Sequence, residues 1–185
     1  EKELFNTNIV GKSRIKESGD YNLSGNRYQS SETGIYVKGK WESVALKDLC
    51  DIQTGKKDVN QGNPNGKYPF FTCAKDNTFI DTYTFDTEAL LIAGNGDVGS
   101  VKYYNGKFDV YQRTYILHNF NKSMPKYLFY ILGHTLSKEM NKQKLGNTMP
   151  YIKLGMLQAF EVPVPPIEEQ KKIVEELDRY QRIID

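Results

Sequence analysis

Between Tyr68 and Leu117 the chain is divided into short runs of aromatic and β-branched residues, "YPFFTCAK", "TFIDTYTFD", "ALLIA", "SVKYY", "KFDVY" and "RTYIL". Such residues suit a pleated, half-buried surface, and the runs are too short for amphipathic helices, so this region is predicted to be β-structure. The dipeptide Asn105-Gly106 stands between two of the runs and predicts a tight hairpin there, because both residues tolerate the positive φ that a type I′ turn demands. Helical signals come later. In "SMPKYLFYILGHTLSKEMNKQ", Pro125 fits a first helical turn and Leu128, Ile131 and Leu132 form an apolar face. In "PPIEEQKKIVEELDRYQRIID" a proline pair precedes Glu168 and Glu169, acids placed where the helix dipole favours them. The predicted class is therefore α+β, a mixed α/β chain in which a β-rich domain is followed by a C-terminal amphipathic helix.

Residues 1–40 are polar and interrupted by Gly11, Gly19, Gly25 and Gly34, which predicts an extended leader or linker. A domain is expected over 41–164, opening at Trp41, and the helix over 165–185. The opening "WESVALKDLCDIQTG" suits a helix or a short strand equally well. "KKDVNQGNPNGK" reads as a loop, and "LGNTMPYIKLGMLQAFEVPVP" as loop, short helical turn and strand. The first residues, "EKELFN", carry neither a methionine nor a secretory leader, so a piece of a longer protein is expected. Apolar runs reach only about five residues where a membrane span needs about 20. Cys50 and Cys73 have no close-spaced partners and, with His118 and His134, make an implausible metal set. A reducing, cytoplasmic setting is expected, with no disulfide, metal, cofactor or membrane.

Gly94, Gly96 and Gly99 spell G-x-G-x-x-G, but a dinucleotide fingerprint also needs a following helix and an acid about 20 residues on. Here a β-run follows, and the residues at that distance are Arg113, Thr114 and Tyr115. A glycine-rich connection between strands is the simpler reading. Phosphate-loop, nucleophile-elbow and zinc-protease motifs are absent, and Glu169-Gln170-Lys171 reads as solvated charge at a helix start, so no catalytic constellation is expected. The formal charge is only +2, which leaves polyanion binding to local patches. Several loops mix the needed chemistry. Lysine suits phosphates, while Arg with guanine and Asn or Gln with adenine make paired contacts to base edges. On this ground Lys57, Lys75, Asn95, Gln112, Arg113, Lys144 and Asn147 are the candidate contacts to double-stranded DNA. In the last helix, Ile173, Leu177, Tyr180 and Ile184 form a narrow stripe suited to one partner helix, a coiled-coil arm; packing back onto the domain is the alternative.

Over Trp41 to Asp185 the chain resembles a target recognition domain of the DNA specificity subunits of type I restriction-modification enzymes. The resemblance rests on "WESVALKDLCDIQTGK" as the opening, the central glycine-bearing region, and Pro165, Pro166, Glu169 and Gln170 leading into a helix with Ile173, Val174 and Leu177. The leader "SRIKESGDYNLSGNRY" is similar to segments found where modification and specificity portions of such enzymes join. The resemblance implies sequence-specific DNA binding without catalysis, each such domain reading half of a bipartite target. The implied partners are a methyltransferase subunit, possibly a restriction subunit, and a second recognition domain or second copy meeting the helix. A helix-mediated oligomerisation module that reads no bases is the other function this sequence permits.

Overall fold

The computed structural model describes residues 41–143 and 151–184. The expected leader, Lys144 and Asn147 lie outside these residues, as does the side chain of Ile184. The chain forms β1 (Ser43–Ala45), a 3-10 turn (Leu46–Asp48), β2 (Asp51–Thr54), a second 3-10 turn (Val59–Gln61), β3 (Tyr68–Phe71), β4 (Thr78–Ile80), β5 (Phe85–Ala93), β6 (Val101–Val110) and β7 (Thr114–His118). After these come α1 (Pro125–Gln143), a short α2 (Leu154–Gln158), β8 (Glu161–Pro163) and α3 (Ile167–Ile184). The ambiguous opening is thus strand, 3-10 turn and strand. Among the described residues no helix is long and apolar enough to cross a membrane.

Six strands form one sheet in the order β2-β7-β5-β6-β3-β4, antiparallel except where β3 runs parallel to β6. The central strand β5 carries the run "ALLIA", and its residues alternate between two apolar layers. Leu90 and Ile92 join Tyr115, Leu117 and the inner faces of the helices, through Tyr127, Leu128, Leu132 and Leu136. Ala89 and Leu91 face Phe71, Phe108, Val110 and Ile116 on the other side. A strand buried on both faces reads as a continuous apolar run, which is why its sequence lacks a polar alternation. In the second layer Phe71 and Tyr104 each meet Phe108 about perpendicularly at 5.6 Å between ring centroids, while Phe85 stacks on it.

The expected hairpin at Asn105-Gly106 is not formed. β6 runs straight through both residues, Asn105 opposite Glu88 and Gly106 opposite Thr87, in a ladder extending from Phe85↔Phe108 to Ile92↔Val101. A turn at that point would leave half of β5 without hydrogen-bond partners, a cost no local turn preference can match. Gly106 does use a positive φ, 135°, but in an extended backbone, and Asn105 does not adopt one. The chain reverses instead at the G-x-G-x-x-G segment. Gly96 and Gly99 take φ of 65° and 82°, and the loop closes through Ala93 N–H to Ser100 O at 3.1 Å and Gly99 N–H to Ala93 O at 3.0 Å. These glycines are thus a strand connection, and Gly99 is also a packing point. A Cβ there would lie 2.9 Å from Ser137 Cα on α1.

β1 and β8 pair antiparallel and bring the opening of the domain to the residues before α3, with Val164 N–H to Glu42 O at 2.9 Å extending the ladder. The buried Tyr127 hydroxyl donates to Pro163 O at 2.9 Å and fixes this pair against α1.

Candidate nucleic-acid interface

The turn Tyr111–Arg113 between β6 and β7 gathers three other loops around it. Gln112 N–H donates to Lys57 O at 2.9 Å, and Lys57 forms a parallel bridge with Tyr111. From the β3–β4 connection, the Cys73 thiol donates to Arg113 O at 3.2 Å. From the glycine loop, Gly94 N–H donates to the same carbonyl at 3.0 Å. That approach requires glycine, since a Cβ on residue 94 would lie 2.5 Å from Arg113 O. Gly94 O in turn accepts from Ile152 N–H at 2.9 Å, and Asn95 bridges Tyr151. Three loops thus meet at this turn, held by main-chain hydrogen bonds and by the Cys73 thiol; the predicted loop of Lys144 and Asn147 lies outside the described residues.

The candidate side chains differ in what they have left to offer. Gln112 and Arg113 are exposed, and Arg113 has no ion-pair partner among the described residues. Lys75 is exposed on the Cys73 loop, and Asn95 is half-buried. Lys57 is engaged elsewhere: its Nζ lies 4.0 Å from the carboxylate of Asp109, which is 1% exposed. Asp109 also accepts from the Thr84 hydroxyl and the Val110 N–H, both at 2.9 Å, so Lys57 offsets a buried charge within the fold.

Two residues at this face were not singled out from sequence. Tyr151 is an exposed aromatic beside Asn95. Asp58 caps the 3-10 turn Val59–Gln61: its Oδ1 accepts from Asn60 N–H at 3.3 Å, while the Gln61 side chain accepts from Asp58 N–H at 2.7 Å. Its Oδ2 takes a third bond, from Gln112 Nε2 at 3.2 Å. The D-x-x-Q spacing of a capping box was readable in "KKDVNQ"; the contact with Gln112, 54 residues away, was not.

The helical side is built on Gln170, which has no exposed surface. Its carbonyl oxygen accepts from Ser123 Oγ at 3.2 Å and Met124 N–H at 2.8 Å, and its amide nitrogen donates to Lys122 O at 3.1 Å and Pro165 O at 2.9 Å. A carboxamide has two acceptor sites and two N–H donors, and all four are used. The loop receiving it includes Lys122 at φ 54°. One turn further along α3, Ile173 packs on the core, and Val174 and Leu177 are buried within the chain. Beyond them, Asp178 accepts from Lys126 Nζ at 2.8 Å and from the Tyr130 hydroxyl. Burial pushes the Asp178 carboxyl up, but these two bonds with the charges of Lys126 and Arg182 outweigh it and hold the group below its ordinary value. Burial, aided by Asp178, pushes the Tyr130 phenol up to about 12. Of the stripe assigned to a partner helix, Ile173 and Leu177 thus lie against the chain itself. Tyr180 is half-exposed, its hydroxyl donating to Glu176 at 3.1 Å.

A six-stranded sheet carrying convergent Lys, Asn, Gln and Arg loops, with helices packed on one face through an apolar layer and polar contacts, is a domain of the class that presents loops from a scaffold. The chain belongs to the family of type I restriction modification DNA specificity domains, whose model matches residues 38–185. It is 40% identical over 138 residues to the specificity subunit of the type I restriction enzyme EcoDI from Escherichia coli, a match covering 75% of this chain and 30% of that protein. To the MjaVIII specificity subunit of Methanocaldococcus jannaschii it is 28% identical over 188 residues, 85% of this chain and 43% of the relative. The crystal structure of a type I restriction-modification S subunit from M. genitalium has the same fold, at a TM-score of 0.68 and 20% identity, covering 80% of this chain and 41% of that one. The chain spans less than half the length of each of these proteins.

Proposed function

We propose that this chain reads one half of a bipartite duplex sequence and directs partner methyltransferase and restriction subunits to it, catalysis residing in those partners. The observation that carries the reading is that the Lys57, Cys73 and glycine loops meet at the Tyr111–Arg113 turn. Family membership supplies the ligand class. Exposed Gln112 and Arg113 suit base edges, and Lys75 suits phosphate. The domain is proposed to span 41–164, and α3 to begin a spacer helix that continues as a coiled-coil arm towards a second recognition domain or a second copy. Intramolecular packing of Ile173 and Leu177 leaves that role to Tyr180 and the residues beyond it.

The test pairs the protein in its full-length context with its modification subunit and maps N6-methyladenine on a random duplex library. One recurrent sequence that changes when Trp41 to Pro166 is exchanged for the equivalent segment of a relative is the expected result. Methylation from an assembled complex that ignores the exchange would sink the reading and favour a scaffold that reads no bases. Binding should also weaken steeply with salt, by a factor set by the number of phosphates neutralised. Arg113→Ala should cost about 1–3 kcal/mol at one base pair, whereas Lys75→Ala should weaken all sequences alike.

A further inference from the structure

We propose that Asp58 is the positioning residue for Gln112, and that together they make the Tyr111–Arg113 turn a reader of adenine. The inference rests on the DNA-reading role above and adds a base and a residue to it.

Gln112 is fixed at two points, its main-chain N–H on Lys57 O and its Nε2 on Asp58 Oδ2. A free glutamine on an exposed turn can present its amide either way round and loses rotamer freedom on binding. Asp58 removes that ambiguity. A carboxylate only accepts, so the amide nitrogen must face it, and the carbonyl oxygen is left pointing elsewhere together with the second N–H. One acceptor beside one donor is the pattern that pairs with adenine, whose N6 amino group donates and whose N7 accepts in the major groove. Guanine presents two acceptors there and would meet the amide oxygen with repulsion.

Asp58 is itself held. Its Oδ1 and main-chain N–H are used by the 3-10 turn, through Asn60 and Gln61, so the carboxylate is a fixed reference for the amide. Its charge supports the assignment. An exposed carboxylate among lysine-bearing loops opposes phosphate contact, so at this place its value lies in orienting a neighbour towards base edges.

The experiment uses the full-length protein with its modification subunit and reads base preference by methylation mapping. Gln112→Ala is expected to lower discrimination about 5- to 150-fold at one position, and that position is an A·T pair in the wild-type target. Asp58→Ala is expected to relax the same position by about 2- to 12-fold, the worth of one hydrogen bond, and to add nothing in a Gln112→Ala background. Asp58→Asn, which keeps one oxygen for the Asn60 N–H but turns an amide donor towards Gln112 in place of Oδ2, should fail to restore the preference. Gln61→Ala removes one of the two bonds that hold Asp58 but leaves its carboxylate in place, and should relax the position less than Asp58→Ala does. The proposal is overturned if Asp58→Ala keeps the wild-type preference while Gln112→Ala does not, or if the affected pair is not A·T. It is also overturned if neither variant alters the target although exchanging the whole domain does; that last result would leave the DNA-reading role standing. A domain exchange without effect would remove both.

Discussion

Gln170 ties the start of α3 to the start of α1 and to the segment between β8 and α3, and replacing it with leucine tests how much of the scaffold depends on that tie. Leucine has nearly the same reach but no polar atoms. The substitution leaves Ser123 Oγ, Met124 N–H, Lys122 O and Pro165 O without this partner; the bonds to Ser123 and Pro165 are buried and those to Met124 and Lys122 part-buried. At about 1 kcal/mol net for each of the four bonds, the loss is near 4 kcal/mol. For a chain of this size that corresponds to a fall in Tm of roughly 8–16 °C, measurable by thermal unfolding followed by circular dichroism. Gln170→Glu keeps the acceptors but turns a carboxylate towards two carbonyls. Such a group has its folded pKa raised, so its relative stability is greatest below the unfolded value of about 4.3 and is lost as pH rises; its deficit against wild type should shrink on acidification. A Gln170→Leu protein melting within about 2 °C of wild type would refute the argument, because two buried and two part-buried groups that lose their partner must cost measurable stability.

The glycine loop should discriminate sharply between its members. Gly99→Ala combines φ 82° with a contact at 2.9 Å to helix backbone and should cost about 2–3 kcal/mol, whereas Gly96→Ala, at φ 65° with nothing within 4 Å, should cost about 1; urea midpoints distinguish them. Asp178, with its pKa held down, contributes stability present above its unfolded value of about 4 and lost as pH falls through the folded value. Asp178→Asn should remove that part of the pH profile, a contribution of about 1 kcal/mol or less given side-chain exposures of 45% for Lys126 and 27% for Asp178. Burial, then the nearby Asp51, pushes the Cys50 thiol up to about 12, so iodoacetamide at pH 8 should label half-exposed Cys73 and spare Cys50 until the chain unfolds; mass spectrometry of the native protein showing labelled Cys50 would contradict the packing.

Much of the fold was legible because it rests on local pattern. The β-runs became strands, and Pro125 and the Pro165-Pro166 pair stand at or just before the starts of their helices. What sequence could not reveal depends on residues far apart in the chain. The Asn105-Gly106 signal is a statement about two residues; the outcome was decided by the eight register pairs of β5 with β6. The amphipathic stripe of α3 was visible, but whether it faced a partner or its own domain turned on Gln170, whose four bonds reach across as many as 48 residues. Of the candidate contacts, Lys57 shows the same limit. Composition marked it as a phosphate ligand, and the structure gives it a buried carboxylate 52 residues away.

The convergent loops are fastened to one another by main-chain bonds, supplemented by the Cys73 thiol on Arg113 O and by Gln112 on Asp58. Gln112 to Lys57, Gly94 to Arg113 and Ile152 to Gly94 are all N–H to carbonyl bonds, and they would survive replacement of any side chain at positions 75, 112 or 113. On the far side the fastening is by side chains: Gln170, Tyr127 and Asp178 each have specific partners that a substitution would orphan. The two faces should therefore respond oppositely to mutation. Changes at Lys75, Gln112 and Arg113 should alter which duplex is bound with stability kept within about 0.5 kcal/mol, as expected for exposed positions, while changes at Gln170 or Tyr127 should lower stability without changing the sequence preferred. A pair of alanine series, scored for urea midpoint and for target sequence, decides the matter. If the loop substitutions unfold the domain, the main-chain bonds do not suffice to hold the loops, and the separation of reading from scaffold fails.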